Sequence, residues 1–378
     1  MTDPLPAILA IATGVPEHSA AQEDITHFVT NMLEASLPPA KSARWTARVR
    51  ALCANSRIKN RYSVIADYRA HDPRDFEFFP RNWQLEPFPT TAQRMELYES
   101  ASVELARQVA EAALIKAKLD PTDITHLIVC TCTGFFAPGP DVALVQKLGL
   151  LPSTPRTLIG FMGCHSGFNG LRTARDIVVA NPKARVLQIC VELCSIHLQK
   201  ESRQHATIAN CLFGDGCSAT IYGQPRISDD RLVRIESASS LVAPHSTQQM
   251  AWRIRDTGFE MHLSSSVPDT IGQETHPFVN SLLDRAGRRL EEVAAWAIHP
   301  GGPRILDVVA ESLGLEPDSL DASHSVLRDF GNMSSPTIFF VLDRLLGEDY
   351  PEDCPSGPIT LLGFGPGLTI EGAVLSQR

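Results

Sequence analysis

Short runs of consecutive apolar residues, each stopping at a polar, glycine-bearing turn, alternate along this chain with longer stretches whose apolar positions recur every three to four residues. The first pattern predicts buried strands and the second amphipathic helices. Ala7–Ala12 reads as a strand ending at Gly14-Val15-Pro16, and a helix follows from Gln22 to about Leu37, stopped by Pro38-Pro39. Residues 71–90, rich in proline, phenylalanine and charge, predict an irregular loop, and Thr91–Leu119 predicts a long helix. A buried strand starting at His126 ends in the turn Thr131–Gly134. Asp141 is placed to cap a helix through Leu148, and strands follow at Arg156–Ile159, Arg185–Val191 and Ser218–Tyr222. Around Pro225–Arg226 the pattern restarts. Leu232–Leu241 predicts a strand, Gly272–Gly287 a helix, and Ala294–Ile298 a buried strand running into His299-Pro300-Gly301-Gly302. Helices at Ile305–Leu313 and Pro336–Leu346 and strands at Ile359–Leu362 and Leu368–Leu375 complete the chain.

The two halves repeat one plan. Each has a strand running into a polar turn, at Thr131–Gly134 and His299–Gly302, and later a glycine-led helix start, at Gly163-Cys164 and Gly331-Asn332. Each then reaches a Phe-Gly-x-Gly loop before a strand, at Phe213–Gly216 and Phe364–Gly367. A duplicated α/β chain tends to place its site where the halves meet, at strand and helix ends. That draws Cys164, His299 and Asn332 towards one point.

Composition narrows the function classes. The chain has 378 residues, 43% of them hydrophobic and 20% charged, enough for one large or two intimately packed soluble domains. A net charge of −9 argues against a general nucleic-acid or anionic-membrane binder. No segment approaches the roughly 20 apolar residues of a membrane span, and the short, proline-broken run Leu5–Val15 is unlike a signal peptide. Nine scattered cysteines, an odd number, point to reduced thiols in the cytoplasm. Without C-x-x-C or H-E-x-x-H spacing they argue against a metal site. One local bias opposes the net charge: Lys41, Arg44, Arg48, Arg50, Arg57, Lys59 and Arg61 fall within 41–62 with no acidic residue among them. Such a stretch is either a phosphate handle or a solvated basic face.

Cys164 is the candidate nucleophile. It stands where a strand turns into a helix, and free N–H groups at a helix start favour a thiolate. Gly163 and Gly167 let the turn close tightly. Residue by residue, blander readings stand beside this one: Cys164 as an inert buried thiol, His299 as a turn histidine, Asn332 as a helix cap and Phe213 as core. His165, adjacent to Cys164, points elsewhere on a helix and is not assigned as the base.

Taken together, Gly163-Cys164, Ile298-His299-Pro300-Gly301-Gly302, Gly331-Asn332-Met333-Ser334-Ser335 and Gly363-Phe364-Gly365-Pro366-Gly367-Leu368 resemble the signatures of the type III polyketide synthases, the chalcone synthase-like enzymes. Glu192-Leu193-Cys194-Ser195 is closer to bacterial members than to plant ones. The resemblance spans nearly the whole chain. It implies an α/β, thiolase-like, pseudo-duplicated αβαβα five-layer fold, with residues 1–225 carrying the nucleophile and 226–378 the histidine and asparagine. A cytoplasmic homodimer is implied as well.

The implied activity is that of an acyltransferase. An acyl-CoA starter is loaded on Cys164, malonyl-CoA is condensed with it repeatedly with loss of CO2, and the chain cyclises to a pyrone, resorcinol or phloroglucinol-type product. The implied catalytic residues are Cys164, His299 and Asn332, with CoA thioesters as substrates and no further cofactor. Phe213 sits at the family's gate between CoA tunnel and cavity, and Met261 replaces a second gating phenylalanine. Cys132, Cys194, His197, Trp252, Ser334, Gly365 and Gly367 are the implied pocket positions, and the bulk of Trp252 suggests a tri- to tetraketide. Arg48, Arg57 and Arg304 are the implied CoA contacts, although Ala51 and Asn55 stand where plant enzymes are basic. Two alternatives share the triad: a β-ketoacyl synthase III-like single condensation from acyl-carrier protein, and a Cys-His-Asn thioester hydrolase.

Overall fold

The computed structural model describes residues 5–200, 204–225, 233–347 and 357–377. The first half runs β1 (Ala7–Gly14), β2 (His18–Ala21), α1 (Gln22–Ser36), α2 (Pro39–Ala54), β3 (Asn60–Ser63), α3 (Thr91–Ala117), β4 (His126–Thr131), α4 (Pro140–Leu148), β5 (Arg156–Gly160), α5 (Ser166–Ala180), β6 (Arg185–Leu193), α6 (Gln204–Leu212) and β7 (Asp215–Gly223). The second runs β8 (Val233–Val242), β9 (Met250–Arg255), β10 (Gly258–Leu263), α7 (Val267–Arg285), β11 (Ala295–Ile298), α8 (Pro303–Leu313), α9 (Asp321–Phe330), α10 (Thr337–Leu346), β12 (Pro358–Gly365) and β13 (Thr369–Gln377).

Both halves weave their strands alike. β4 is parallel to β6, which is antiparallel to β7, which is antiparallel to β1. β11, β12, β13 and β8 repeat that sequence of pairings. β5 extends the first half beyond β4, and among the described residues the second half has no counterpart to it. Two residue pairs, Ala7↔Arg234 and Ile8↔Val233, join the halves into one nine-stranded ladder.

Alternation along the strands produces the layers, because successive side chains point to opposite faces. Ile128 and Cys130 of β4 join Phe168, Leu171 and Val178 of α5, Ile338 to Leu342 of α10, and Ala295, Ala297, Ile359 and Leu361 of the second half in one central core. Their neighbours Leu127 and Val129 pack instead with α1 and α3. Trp296 and Ile298 pack with α7 and α8. Helices α5 and α10 therefore lie between two sheet faces, with further helices outside each, giving the expected αβαβα thiolase-like layering. α10 is buried at every position from Thr337 to Leu342, as a helix covered on all sides must be.

Several local expectations are corrected. The basic stretch is a helix, α2, followed by β3. Its buried stripe is Ser42, Thr46, Val49 and Cys53, and two hydroxyls in that stripe hide the helical period. Asp141 is the second residue of α4, after Gly139 and Pro140, and its carboxylate pairs with Arg156 at 2.8 Å instead of capping. The helix expected from Gly272 starts five residues earlier at Val267, with a proline in its first turn, where it is tolerated. The repeated Phe-Gly-x-Gly letters also differ in role: Phe213 follows α6, whereas Phe364 and Gly365 end β12. Arg226, Leu232 and Cys354 lie outside the described residues. Among those described, no helix is long and apolar enough to cross a membrane.

Candidate active site

β5 ends at Gly160, and the chain turns through Phe161 (φ 61°) and Gly163 (φ 83°) before Cys164 and the start of α5. Glycine is required at 163: the backbone is left-handed there, and a Cβ would lie 2.4 Å from Pro366 Cδ. The second half builds the matching turn at Gly331 (φ 70°), directly before Asn332. His299 follows β11, its N–H donating to Leu362 O at 2.8 Å.

Cys164, His299 and Asn332 line one cavity together. The Asn332 amide is oriented on both sides: Oδ1 accepts from Ser334 N–H at 2.8 Å, and Nδ2 donates to Gly301 O at 3.2 Å. The side chains of Ser334 and Asn332 are polar neighbours of the Cys164 sulfur, and Ser334 Oγ lies 3.5 Å from Cys132 Sγ. Both ring nitrogens of His299 are buried without a protein partner. The backbone of Asn332 is bonded to the residues around Phe213, with Asn332 N–H on Leu212 O (2.9 Å) and Gly214 N–H on Asn332 O (3.0 Å), so Phe213 and Asn332 form a parallel bridge.

Burial dominates the electrostatics. It pushes the Cys164 thiol up to about 11, helped by the charge of Glu192 and opposed by the neighbouring Ser334 and Asn332 side chains. It pulls the His299 imidazolium down to about 3, with His165 adding repulsion. A lone thiolate or a lone imidazolium is therefore disfavoured, in contrast to the sequence expectation of a helix-stabilised thiolate. Formed together the two charges attract, which lowers the cost of moving the proton from Cys164 to His299.

Cys164, Phe213 and Met261 line a second cavity as well, here termed the inner cavity, the first being the outer. Phe213 and Met261 thus stand at the junction of the two, where gating residues were expected. The outer cavity measures about 160 Å³ and the inner about 60 Å³. Cys132, Cys194, His197, Trp252 and Ser334 all line the inner one. His197 is fixed as a neutral ring: Nε2 donates to Thr133 O (2.7 Å), Nδ1 accepts from Phe259 N–H (3.0 Å), and burial lowers its pKa to about 3. Trp252 Nε1 donates to Cys132 O at 2.8 Å.

Gly365 and Gly367 are not on the wall themselves; Pro366 between them is. Gly365 lies against the His165 ring, where a Cβ would come 2.3 Å from Cδ2, and Gly367 O accepts from Ser246 Oγ. His165 points away from the sulfur, with Nδ1 at 3.2 Å from Asn169 Oδ1.

The three basic candidates are dispersed. Arg57 forks onto Asp307 of α8 (2.9 and 3.3 Å), and Arg304, itself on α8, pairs with Glu311 of the same helix (2.9 Å); Ile305 between them lines the outer cavity. Arg48 stacks over the Trp45 ring on α2 at 5.5 Å.

Sequence reasoning quoted Glu192 only as a family marker and missed its place. Wholly buried, its carboxyl accepts from Cys132 N–H (2.9 Å), Thr133 Oγ1 (2.8 Å) and Ser335 Oγ (2.6 Å), tying the end of β4 to the Ser334-Ser335 turn of the other half. The available signal was a carboxylate inside the apolar strand Val186–Leu193, since a buried charge needs donors around it.

The family model for the N-terminal domain of chalcone and stilbene synthases matches residues 3–225, and that for their C-terminal domain matches residues 234–377. The alpha-pyrone synthesis polyketide synthase-like Pks18 of Mycobacterium tuberculosis is 33% identical over 371 residues, 97% of this chain and 89% of that protein. Type III polyketide synthase 21 of Oryza sativa subsp. japonica is 31% identical over 372 residues, 97% of this chain and 92% of that one. Among solved structures, PKS-I from the brown alga Ectocarpus siliculosus aligns over 100% of both chains with a TM-score of 0.90 and 30% identity. The C-terminal type III polyketide synthase domain of Steely1 from Dictyostelium aligns over 98% of this chain and 99% of that one, with a TM-score of 0.88 and 28% identity.

Proposed function

The chain belongs to the chalcone and stilbene synthase family, and on that premise we propose how its residues divide the work of a type III polyketide synthase, an acyltransferase that condenses malonyl-CoA onto an acyl-CoA starter. The starter enters the outer cavity, and Arg57, Arg304 and Arg48 act as handles for CoA phosphates. Cys164 gives its proton to His299, attacks the thioester carbonyl and takes the acyl group, and the CoA thiolate leaves with the proton from His299. Malonyl-CoA follows. Its carboxylate departs as CO2, and the electron pair moves into an enolate whose oxygen accepts hydrogen bonds from a His299 ring N–H and the Asn332 amide. Neither donor is a strong acid: the amide is neutral at every relevant pH, and burial keeps His299 uncharged. The carbanion therefore survives to attack the Cys164 thioester. One carbon–carbon bond forms, the carbon–sulfur bond breaks, and the thiolate is restored. The extended chain, now on CoA, returns to Cys164 as the thiolate attacks its thioester carbonyl and CoA leaves, and repetition grows it into the inner cavity, where it cyclises.

The observation that carries this reading is the position of Cys164, which lines both cavities and faces His299 and Asn332 in the outer one. An inner cavity of about 60 Å³ lined by Trp252 favours a tri- to tetraketide, and the pyrone named for the mycobacterial relative favours a pyrone product. A homodimer belongs to the same proposal: β5 is an edge strand, and Leu158 and Met162 on it and its following turn are each 40% exposed, a face suited to a second copy. A cytoplasmic location rests on the odd number of scattered cysteines.

The test is mass spectrometry of products from malonyl-CoA and a panel of acyl-CoA starters. Pyrones built from several condensations are expected. Free acid alone would indicate a hydrolase, a strict need for carrier protein would indicate a single-condensation enzyme, and unchanged products from Cys164→Ala would exclude the covalent route.

A further inference from the structure

Most of the inner cavity wall is apolar, but Ser63 from β3 and Ser195 from the turn after β6 both line it. Behind them lies Asp215, the first residue of β7, fully buried. Their hydrogen bonds can run in only one direction. Asp215 Oδ1 accepts from Ser195 N–H at 2.7 Å, and Oδ2 accepts from Val64 N–H at 2.9 Å and from the Ser195 hydroxyl at 2.6 Å. Ser195 has a single hydroxyl proton and gives it to Asp215, so in its 2.7 Å contact with Ser63 Oγ it must accept. Ser63 therefore donates to Ser195 while accepting from Ile65 N–H at 2.8 Å, which leaves one of its two lone pairs open. Each donated proton points away from the cavity and towards the carboxylate.

The groups around this chain suit a proton acceptor. Burial pushes Asp215 up to about 6, against the bonds from Ser195 and Val64 and the charge of Arg61. The Arg61 guanidinium is itself buried on the same wall; it donates to Phe213 O at 2.6 Å and has Nη2 without a partner. Other groups on the wall are poor acceptors. His197 has committed both nitrogens, and burial raises the Cys132 and Cys194 thiols well above their usual range.

We propose that Ser63, Ser195 and Asp215 form a relay that accepts the enol proton of the folded polyketide as its enol oxygen closes a ring onto the thioester. This rests on the reading that the inner cavity holds the polyketide. The new carbon–oxygen bond forms as the carbon–sulfur bond breaks, and the electron pair leaves on sulfur. The enol proton passes to Ser63 while the Ser63 proton passes to Ser195 and the Ser195 proton to Asp215. The carboxyl holds that proton until it returns along the same chain and neutralises the sulfur anion. The relay thus biases release towards oxygen ring closure, and so towards lactones.

The experiment follows CO2 release and products together, with hexanoyl-CoA and malonyl-CoA, in wild type, Ser63→Ala, Ser195→Ala and Ser195→Thr. The ratio of ring-closed lactone to CO2 should fall about tenfold or more in each alanine variant, given what general base catalysis contributes. Ser195→Thr, which keeps a hydroxyl, should recover at least half of it. If lactone and CO2 fall by the same factor, or the ratio is unchanged, the serines only support the fold and the relay is overturned. Failure of the polyketide reading would be visible earlier and separately, as a wild-type enzyme that makes no condensed product at all.

Discussion

Removing the imidazole should leave the thiol without its base, and His299→Gln tests this while keeping much of the side-chain volume. Burial and its neighbours leave the Cys164 sulfur at about 11, with no contribution from His299 while that ring is neutral. Two unit charges about 4 Å apart in a site of effective dielectric about 20 attract by about 4 kcal/mol, equivalent to about 3 pKa units. Moving the proton from a thiol at about 11 to an imidazole at about 3 costs the difference of about 8 units, so the attraction still leaves the ion pair about 5 units, about 7 kcal/mol, above the neutral pair. The resting enzyme therefore holds a thiol with or without the imidazole, and His299 acts as the base during attack, worth about 100-fold or more. Loading of the starter from acyl-CoA at pH 7 should fall by about that factor in His299→Gln, while iodoacetamide labelling of Cys164 should change by less than about twofold. Both are followed by peptide mass spectrometry across pH 5–10, because Cys132 and Cys194 share the cavity. Deprotonation increases with pH, so both labelling profiles should climb throughout that range. Labelling that falls as far as loading would show a preformed ion pair, and unchanged loading would show that the two side chains exchange no proton, so that the acylation step above fails.

Trp252→Gly should lengthen the products by at least one malonyl-derived unit, since the indole lines the inner cavity and its N–H is anchored to Cys132 O; an unchanged chain-length distribution would remove Trp252 as the limit. Gly163→Ala should cost about 2 kcal/mol or more in denaturant unfolding, from the left-handed backbone together with the 2.4 Å approach to Pro366, and should slow starter loading on Cys164; wild-type stability and loading would refute the requirement for glycine.

Much of the fold was legible because it depends on local periodicity. α1 and α3 begin at Gln22 and Thr91, where the sequence places them, and the strand ending at His299 follows from its apolar run. The duplicated plan alone draws Cys164, His299 and Asn332 towards one point, and the three line one cavity. What escaped depends on long-range pairing. α2 hides its inner face behind Ser42 and Thr46, whose burial is set by α1 and α6. The β9–β10 ribbon, which carries Trp252, Phe259 and Met261 to the cavity, has no clear alternation of its own. Ser63, Ser195 and Asp215 are far apart in sequence and ordinary in type, so only their convergence distinguishes them. The left-handed residues Phe161 and Ser334, both at φ 61°, are equally silent in sequence, yet they shape the two turns facing Cys164.

The bridge between Phe213 and Asn332 couples selectivity to reactivity. The doorway and the carboxamide share a rung of main chain, so an insertion or deletion between α6 and β7 would displace the enolate's donor along with the entrance. Diversification of substrate range in such a scaffold is thereby channelled into side-chain exchanges at fixed backbone, at positions such as 213, 252 and 261, with loop length near the junction held nearly constant.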